Sequence, residues 1–263
     1  MATTTDQSLR RTAHEIFEQV EDNAHAELRR STHALAFSGL AGGFSMGLTG
    51  LAVAAATVAL GDAPASGFIA YMVYPLGFIA VIIGRAQLFT ENTLYPVALI
   101  LDEHRHFGDT ARLWSVVFVC NIAGAVGFSA LAMRTSALNP PIHDALAQLG
   151  TMAAHGSLTH IFWSGVIGGW LIALVAWMVT ASRWTIGQIA VVWLLTFVVG
   201  LGHFAHCIAS TGEIMSAVFA GSVDFSRYLQ WLAVATAGNI LGGVVIVTLL
   251  NFGQVKAGEG PKH

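Results

Sequence analysis

Gly202-His203-Phe204-Ala205-His206-Cys207-Ile208-Ala209-Ser210-Thr211-Gly212-Glu213 lies between two apolar runs, residues 190–200 and 214–220. The stretch therefore places two imidazoles, a carboxylate and two glycines at the depth where a membrane helix crosses the centre of the bilayer. A charged group at that depth costs roughly 2.5–3.5 kcal/mol, and such groups are kept where they face a cavity or a path for solute. The stretch therefore predicts an interrupted membrane helix that lines a pore.

The composition is that of a membrane protein. Of the 263 residues, 55% are hydrophobic and 10% are charged, and the mean hydropathy is +0.66. A soluble domain carries about 25% charged residues, so these values predict an integral membrane protein. The net charge of −3 offers no basic surface for a nucleic acid. Both cysteines, Cys120 and Cys207, lie in apolar runs, which predicts buried thiols and no disulfide framework.

Six apolar segments approach or exceed the 20 or so residues that a membrane span requires. Two of them are broken near the middle, the second at residues 84–92 and the fifth at the opening stretch. The remaining segments predict an amphipathic surface helix within residues 1–32, a polar connection after the third span, and a polar tail at 253–263. The predicted spans are 33–60, 67–101, 111–133, 158–179, 184–220 and 228–250. The predicted fold is therefore an all-α integral membrane domain at 33–252.

An internal repeat relates the two halves of this domain. A shift of 118 residues lays Asn121 on Asn239, Gly47 on Gly165, and the break in the second span on the break in the fifth. Because asparagine amides inside a membrane bond across helices, we expect Asn121 and Asn239 to do so.

The repeats extend over about residues 33–135 and 155–252. Each holds three spans, so the second repeat would enter the membrane from the opposite face. Broken helices at matching positions of inverted repeats indicate a transport site. Lysine and arginine residues concentrate on the side that carries both termini, which predicts cytoplasmic termini.

Two segments resemble a known family of membrane proteins. Gln87-Leu88-Phe89-Thr90 looks like the loop in the second span of the formate/nitrite transporter family. The stretch from His203 to Ser210 is similar to that family's fifth-span loop, in which a phenylalanine is followed two residues later by the pore histidine. The resemblance covers about residues 33–252 and includes the six-span layout and both breaks.

The resemblance implies an aquaporin-like bundle, assembled as a homopentamer with one pore per subunit, in a bacterial-type inner membrane. It implies transport of small monovalent anions such as formate, nitrite or hydrosulfide, in some members together with a proton. It places a central polar pair at Thr90 and His206. The other candidate pore residues are Tyr74, Phe78, Leu88, Phe89, Val199, His203, Phe204 and Ser210.

Three positions depart from the family pattern, so the family's substrate does not transfer directly. Ala205 stands where the family has a glutamate, Ala153 aligns with its lysine, and Gly169 replaces an asparagine.

This chain instead offers charged residues of its own inside the spans. Arg85 either attracts the anion, forms an ion pair with Glu91 or caps the broken helix. Glu213 either caps the resumed fifth helix, because a carboxylate is stabilised at a helix N-terminus, or relays protons. His203 lies three residues before His206, so on a continuous helix the two would share a face and could bind a metal, although a metal site usually needs three or four ligands. The alternatives for His203 are a residue of the pore vestibule, which we favour, and a structural role.

The chemistry expected of the pore centres on His206. An anion is costly to desolvate and a neutral acid is far cheaper, so an imidazole that attracts or protonates the anion, beside a Thr90 hydroxyl that orients it, would favour passage. The alternatives are a neutral-solute channel of aquaporin type, a membrane-embedded metal enzyme and a scaffold without a pore. Paired Asn-Pro-Ala motifs and repeated histidine-rich boxes are absent from the sequence, so we predict no enzyme, no cofactor and no bound metal.

Overall fold

The computed structural model describes residues 11–258, and the regular structure of this part is helical throughout. The first ten residues of the predicted surface segment and the last five of the predicted tail lie outside the described residues. The helices are α1 Ala13–Leu28, α2 Thr32–Leu60, α3 Ser66–Tyr71, α4 Leu76–Ile83, α5 Tyr95–Glu103, α6 Phe107–Arg134, α7 Pro140–Ala154, α8 Leu158–Ala181, α9 Thr185–Leu201, α10 Ala209–Phe219, α11 Phe225–Leu241 and α12 Leu250–Gly258. A 3₁₀ turn, Glu91–Thr93, precedes α5, and a π-helix, Gly242–Leu249, joins α11 to α12.

Five helical stretches in the described residues are long and apolar enough to cross a bilayer. They are Thr32–Leu60, Ser66–Ile83, Phe107–Arg134, Leu158–Ala181 and Phe225–Gly258. Helix α9, the first part of the predicted fifth span, is apolar but has only 17 residues. The all-α membrane fold is thus confirmed, whereas the number of six spans stays a prediction.

Both predicted breaks are present, and the helices that precede them, α4 and α9, end in the same way. After α4, the N–H of Ala86 donates to the carbonyl of Val81 at 3.0 Å, with Arg85 left-handed at φ 59°. After α9, the N–H of Phe204 donates to the carbonyl of Val199 at 3.0 Å. The residue before it, His203, is likewise left-handed at φ 51°. These bonds satisfy carbonyls that the helix ends would leave unpaired inside the membrane.

Helix α1 is present within the predicted surface segment, but its apolar face is covered by protein. Ile16, Phe17 and Val20 are buried, and the rings of Phe17 and Phe252 lie 5.8 Å apart. The apolar face of α1 is therefore part of a core with the last helix, and both ends of the described chain lie on one face of the protein.

The predicted polar connection after the third span is wrong over most of its length, because it contains helix α7. Asn139 caps this helix by accepting from the N–H of Ile142 at 3.2 Å, and two prolines occupy its first turn, where no N–H is needed. Leu146 and Gly150 face inward, and Gly150 packs directly on the backbone of Glu213 in α10.

Helices α1 and α7 extend the repeat to four elements per half. Arg112 at the start of α6 donates to the carbonyls of Leu28 at 2.7 Å and Arg30 at 3.0 Å, just where α1 ends. Arg227 at the start of α11 donates to the carbonyl of Ala154 at 2.7 Å, where α7 ends. Each half therefore has a short helix whose C-terminal carbonyls are bound by an arginine of its third span.

The register of the repeat differs from the predicted one in the first span. Gly43 packs against the backbone of Asn121, and Gly169 packs against the backbone of Asn239. Gly169 is therefore the counterpart of Gly43 in the second half, and it lies 126 residues later. The predicted pairing of Gly47 with Gly165 is therefore wrong, although the shift of 118 holds for the breaks and asparagines. A Cβ at Gly169 would overlap the Asn239 carbonyl, which explains why no asparagine side chain stands there.

Candidate functional site

Two cavities approach the centre of the bundle from opposite faces. The distal cavity, on the face away from the termini, has a volume of about 280 Å³ and is lined by residues that include Tyr71, His155 and Ser164. The terminal cavity has a volume of about 110 Å³ and is lined by residues that include Asn23, Glu27 and Gln87, the first two of which belong to α1. A solute that crosses the bundle along this line would have to pass the residues between the two cavities.

Thr90 and His206 lie between the cavities, and both are fully buried. The Thr90 Oγ1 and His206 Nε2 atoms are 2.8 Å apart. The N–H of Ala209 donates to His206 Nδ1 at 3.0 Å. Because Nδ1 accepts this bond it carries no proton, so the neutral ring holds its proton on Nε2 and donates it to Thr90.

This arrangement leaves the Thr90 hydroxyl hydrogen available. Among the described residues, no acceptor within hydrogen-bonding distance takes it once His206 is the donor of the shared bond. The ring of Phe78 covers His206 edge-on, with the centroids 5.1 Å apart. The contact is thus one buried hydroxyl, with its hydrogen available, within an apolar surround.

The break in the second span is held in place by two side chains from neighbouring spans. The Ser38 hydroxyl accepts from the N–H of Gln87 at 3.1 Å. Asn121 Oδ1 accepts from the N–H of Phe89 at 2.9 Å, and its amide donates to the carbonyls of Gln87 at 2.9 Å and Gly39 at 2.7 Å. The expected bonding of Asn121 across helices is confirmed.

The break in the fifth span is held by the equivalent pair. The Ser164 hydroxyl accepts from the N–H of Ala205 at 2.9 Å. Asn239 Oδ1 accepts from the N–H of Cys207 at 2.8 Å, and its amide donates to the carbonyls of Ala205 at 2.8 Å and Gly165 at 2.7 Å. Buried backbone that has lost its helical partners is thereby satisfied at both breaks.

The structure distributes the predicted site residues over four regions. Thr90, His206, Phe78 and Leu88 are buried between the cavities. Phe89 is edge-on to Phe118 and Trp114 of α6. The predicted residues that line the distal cavity are Tyr74, Val199, His203, Phe204, Ser210 and Glu213, and those that line the terminal cavity are Arg85 and Glu91.

Two expectations for the charged residues are wrong. Arg85 and Glu91 line the same cavity, but the described residues show no ion pair between them within 4.0 Å. Glu213 does not cap the resumed helix, because α10 already begins at Ala209 and Glu213 lies beyond its first turn.

The two histidines of the fifth-span break do not share a helical face. The break turns them to different partners: His203 Nδ1 is 3.2 Å from the Tyr71 hydroxyl, whereas His206 contacts Thr90. The paired-histidine metal site considered from their spacing therefore has no support in the geometry.

Sequence reasoning missed the residues that support and surround this site. Ser38 and Ser164 were not singled out, although they lie 126 residues apart, the offset that also relates the glycines of α2 and α8. Tyr71 and His160 reach the distal cavity from segments that carry no motif of their own.

Comparison with known proteins places these features in a family context. A family model described as formate/nitrite transporter matches residues 14–253. An inner membrane protein of Escherichia coli K12, YfdC, is 34% identical over 245 residues, which cover 92% of this chain and 78% of the relative. A solved FNT family ion channel superposes with a TM-score of 0.81 at 18% identity, covering 91% of this chain and 98% of that one. A pentameric formate channel with formate bound gives a TM-score of 0.71 at 20% identity, covering 83% and 95%.

Proposed function

The chain belongs to the formate/nitrite transporter family, and from this premise we propose that it is a channel or transporter for small monovalent anions of weak acids, such as formate or nitrite. The observation that carries the proposal is the Thr90–His206 contact, buried between two cavities that approach it from opposite faces. We propose transport and no enzymatic activity.

Thr90 is the group that we propose contacts the solute. Its hydroxyl hydrogen is left available by the bond from His206 Nε2, so it can donate to an oxygen atom of the solute. A hydrogen bond between neutral groups is worth about 0.5–1.5 kcal/mol. His206 then acts by orienting the hydroxyl, since the Ala209 N–H keeps Nδ1 occupied.

Proton linkage follows from desolvation and does not require His206 to supply the proton. A single hydroxyl replaces little of the hydration shell of an anion, whereas a neutral acid loses far less on entering an apolar passage. We propose that the anion takes a proton from a hydronium ion of the solvent in a cavity, which leaves water, and crosses the Thr90–His206 region as the neutral acid. Direct protonation by His206 would first require a proton on Nδ1 and the loss of the Ala209 bond.

Uptake into proteoliposomes tests this function. A panel of formate, nitrite, hydrosulfide, acetate and a neutral solute, glycerol, should show uptake of the weak-acid anions, and formate uptake should rise as the pH falls from about 8 to 5. His206→Phe should lower uptake of every anion in the panel, whereas His33→Gln, at an exposed position in α2, should leave it unchanged. Preferred glycerol uptake, or full anion uptake by His206→Phe, would refute the assignment.

The environment of the protein also belongs to this proposal. We propose an inner-membrane location with cytoplasmic termini, on the basis of the inner-membrane relative and the lysine and arginine distribution. We propose a homopentamer of residues 33–252, because the chain is similar in fold to a pentameric formate channel. Large apolar side chains of α2 are exposed in the single chain, with Phe37 at 74%, and lipid or another subunit would cover them. Native mass spectrometry of the full chain would measure the number of subunits. Protease access to the termini in oriented vesicles would show on which side of the membrane the termini lie.

A further inference from the structure

A cluster of three ligand-type side chains lies on the face that carries the termini, outside both cavities. His25 of α1 and His106, which precedes α6, flank Glu103 at the end of α5. His25 Nε2 is 2.8 Å from one carboxylate oxygen and His106 Nε2 is 3.0 Å from the other. One ligand atom from each residue lies within 4.8 Å of the other two.

These three groups form the ligand set of a divalent transition metal. Two imidazole nitrogens and one carboxylate oxygen are a common protein contribution to zinc sites that keep a fourth position for water. Metal–ligand distances of about 2.0–2.2 Å put tetrahedral ligand atoms about 3.3–3.6 Å apart, which small side-chain rotations would reach from the present spacing. The side chains are 34%, 21% and 21% exposed, so an ion can enter from solvent while the packing restrains their orientation.

The local backbone keeps His106 close to Glu103. His104 and His106 both adopt left-handed conformations, with φ of 54° and 72°. Such conformations cost roughly 1–2 kcal/mol for a residue with a Cβ, and they occur where the surrounding structure imposes them. Arg105 also contacts the Glu103 carboxylate and would have to move aside or share it when a metal binds.

We propose that His25, Glu103 and His106 bind Zn²⁺, with water as the fourth ligand, and that the ion fastens α1 to the turn between α5 and α6. The three ligands come together only when α1 is packed against the bundle, so a bound ion stabilises that packing by mass action. Helix α1 also contributes Asn23 and Glu27 to the lining of the terminal cavity. This site does not depend on the anion proposal.

Zinc binding to the untagged, full-length protein after chelator treatment tests the site. We expect one tight Zn²⁺ per chain by calorimetric titration, and Co²⁺ in its place should give the visible absorption of a tetrahedral site. His25→Gln and His106→Gln should each weaken binding at least about tenfold. His104→Gln, an exposed histidine of the same turn, should leave binding unchanged.

Hydrogen exchange provides a readout that does not rely on the variants. Zn²⁺ should slow amide exchange in residues 13–28 of the unaltered protein, and should fail to do so in the His25→Gln, His106→Gln double variant. Retained binding in the folded double variant, or no Zn²⁺ binding and no change in exchange in the unaltered protein, would overturn the proposal. In that outcome the three groups form only a hydrogen-bonded bridge.

Discussion

Replacing Thr90 with valine should separate the role of the hydroxyl group from the role of the side chain's shape. Valine keeps the branched volume but removes the atom that accepts from His206 Nε2 at 2.8 Å. A buried donor left without a partner costs about 1–3 kcal/mol, so the folded protein should be destabilised by that amount. Loss of the donor to the neutral acid removes about 0.5–1.5 kcal/mol from its most desolvated position, which corresponds to a fall in flux of about 2- to 13-fold.

Formate uptake into proteoliposomes and thermal denaturation in detergent measure the two effects separately. Thr90→Ser should restore most of the flux, because it returns a hydroxyl to the same place. Thr196→Val is a matched control: Thr196 is equally buried, but within residues 11–258 its hydroxyl bonds only to the carbonyl of Val192 in its own helix. A folded Thr90→Val protein that conducts formate at the normal rate would refute the assignment of Thr90 as the contact to the solute.

Three further predictions follow from charge, backbone support and pH. Arg85→Gln should lower anion flux about fivefold, since an opposite charge that lines the terminal cavity attracts an anion there by about 1 kcal/mol when water screens it. Arg85→Lys should retain the flux, and equal losses in both variants would contradict an electrostatic role. Asn239→Leu should destabilise the protein by at least about 3 kcal/mol, because one buried N–H and two carbonyls lose their partners. Asn251→Leu, which loses one bond to the carbonyl of Val247 in the preceding π-helix, serves as the control in the same denaturation assay. Burial and the Asp102 carboxylate raise the pKa of Glu21 to about 7. Docking of α1 should therefore weaken as the pH rises from about 4.5 to 7, because the docked state binds more protons in that window. Hydrogen exchange of the α1 amides, corrected for the pH dependence of the intrinsic rates, measures this docking. The Glu21→Gln variant should lose the pH dependence of docking, and an unchanged pH dependence in that variant would contradict the prediction.

The parts of the fold that could be predicted are those with a strong local signal. Polar residues between apolar runs marked both breaks, because hydrocarbon excludes them unless they face protein or water. Helix α7 was missed because its first turn holds two prolines, and its short apolar face resembles a connection more than a span. Helix α1, the counterpart of α7 in the first half, was expected to lie on the membrane surface. The sequence does not show that the last helix, α12, covers the apolar side of α1.

Contacts between distant segments account for what the sequence could not show. Thr90 and His206 are 116 residues apart, and only the family resemblance brought them together. His25 and Glu103 are 78 residues apart, on segments with no shared motif. The register error has a similar origin, because 49 residues separate Ser38 from Gln87. The equivalent separation in the second half is 41 residues, so no single shift superposes the two halves.

The two halves of the bundle share their supports but differ in the side chains that they present. By the shift of 118 residues, the counterpart of His206 is Leu88, and the counterpart of Thr90 is Ile208. All four side chains are fully buried, and the two aliphatic ones belong to one core cluster. The symmetry mate of the polar contact is therefore apolar. One hydroxyl against an otherwise apolar wall binds an anion too weakly to replace its hydration, yet it suffices for a neutral acid that needs one hydrogen-bond partner. The asymmetry between the repeats is thus the structural basis on which we infer passage of the protonated form.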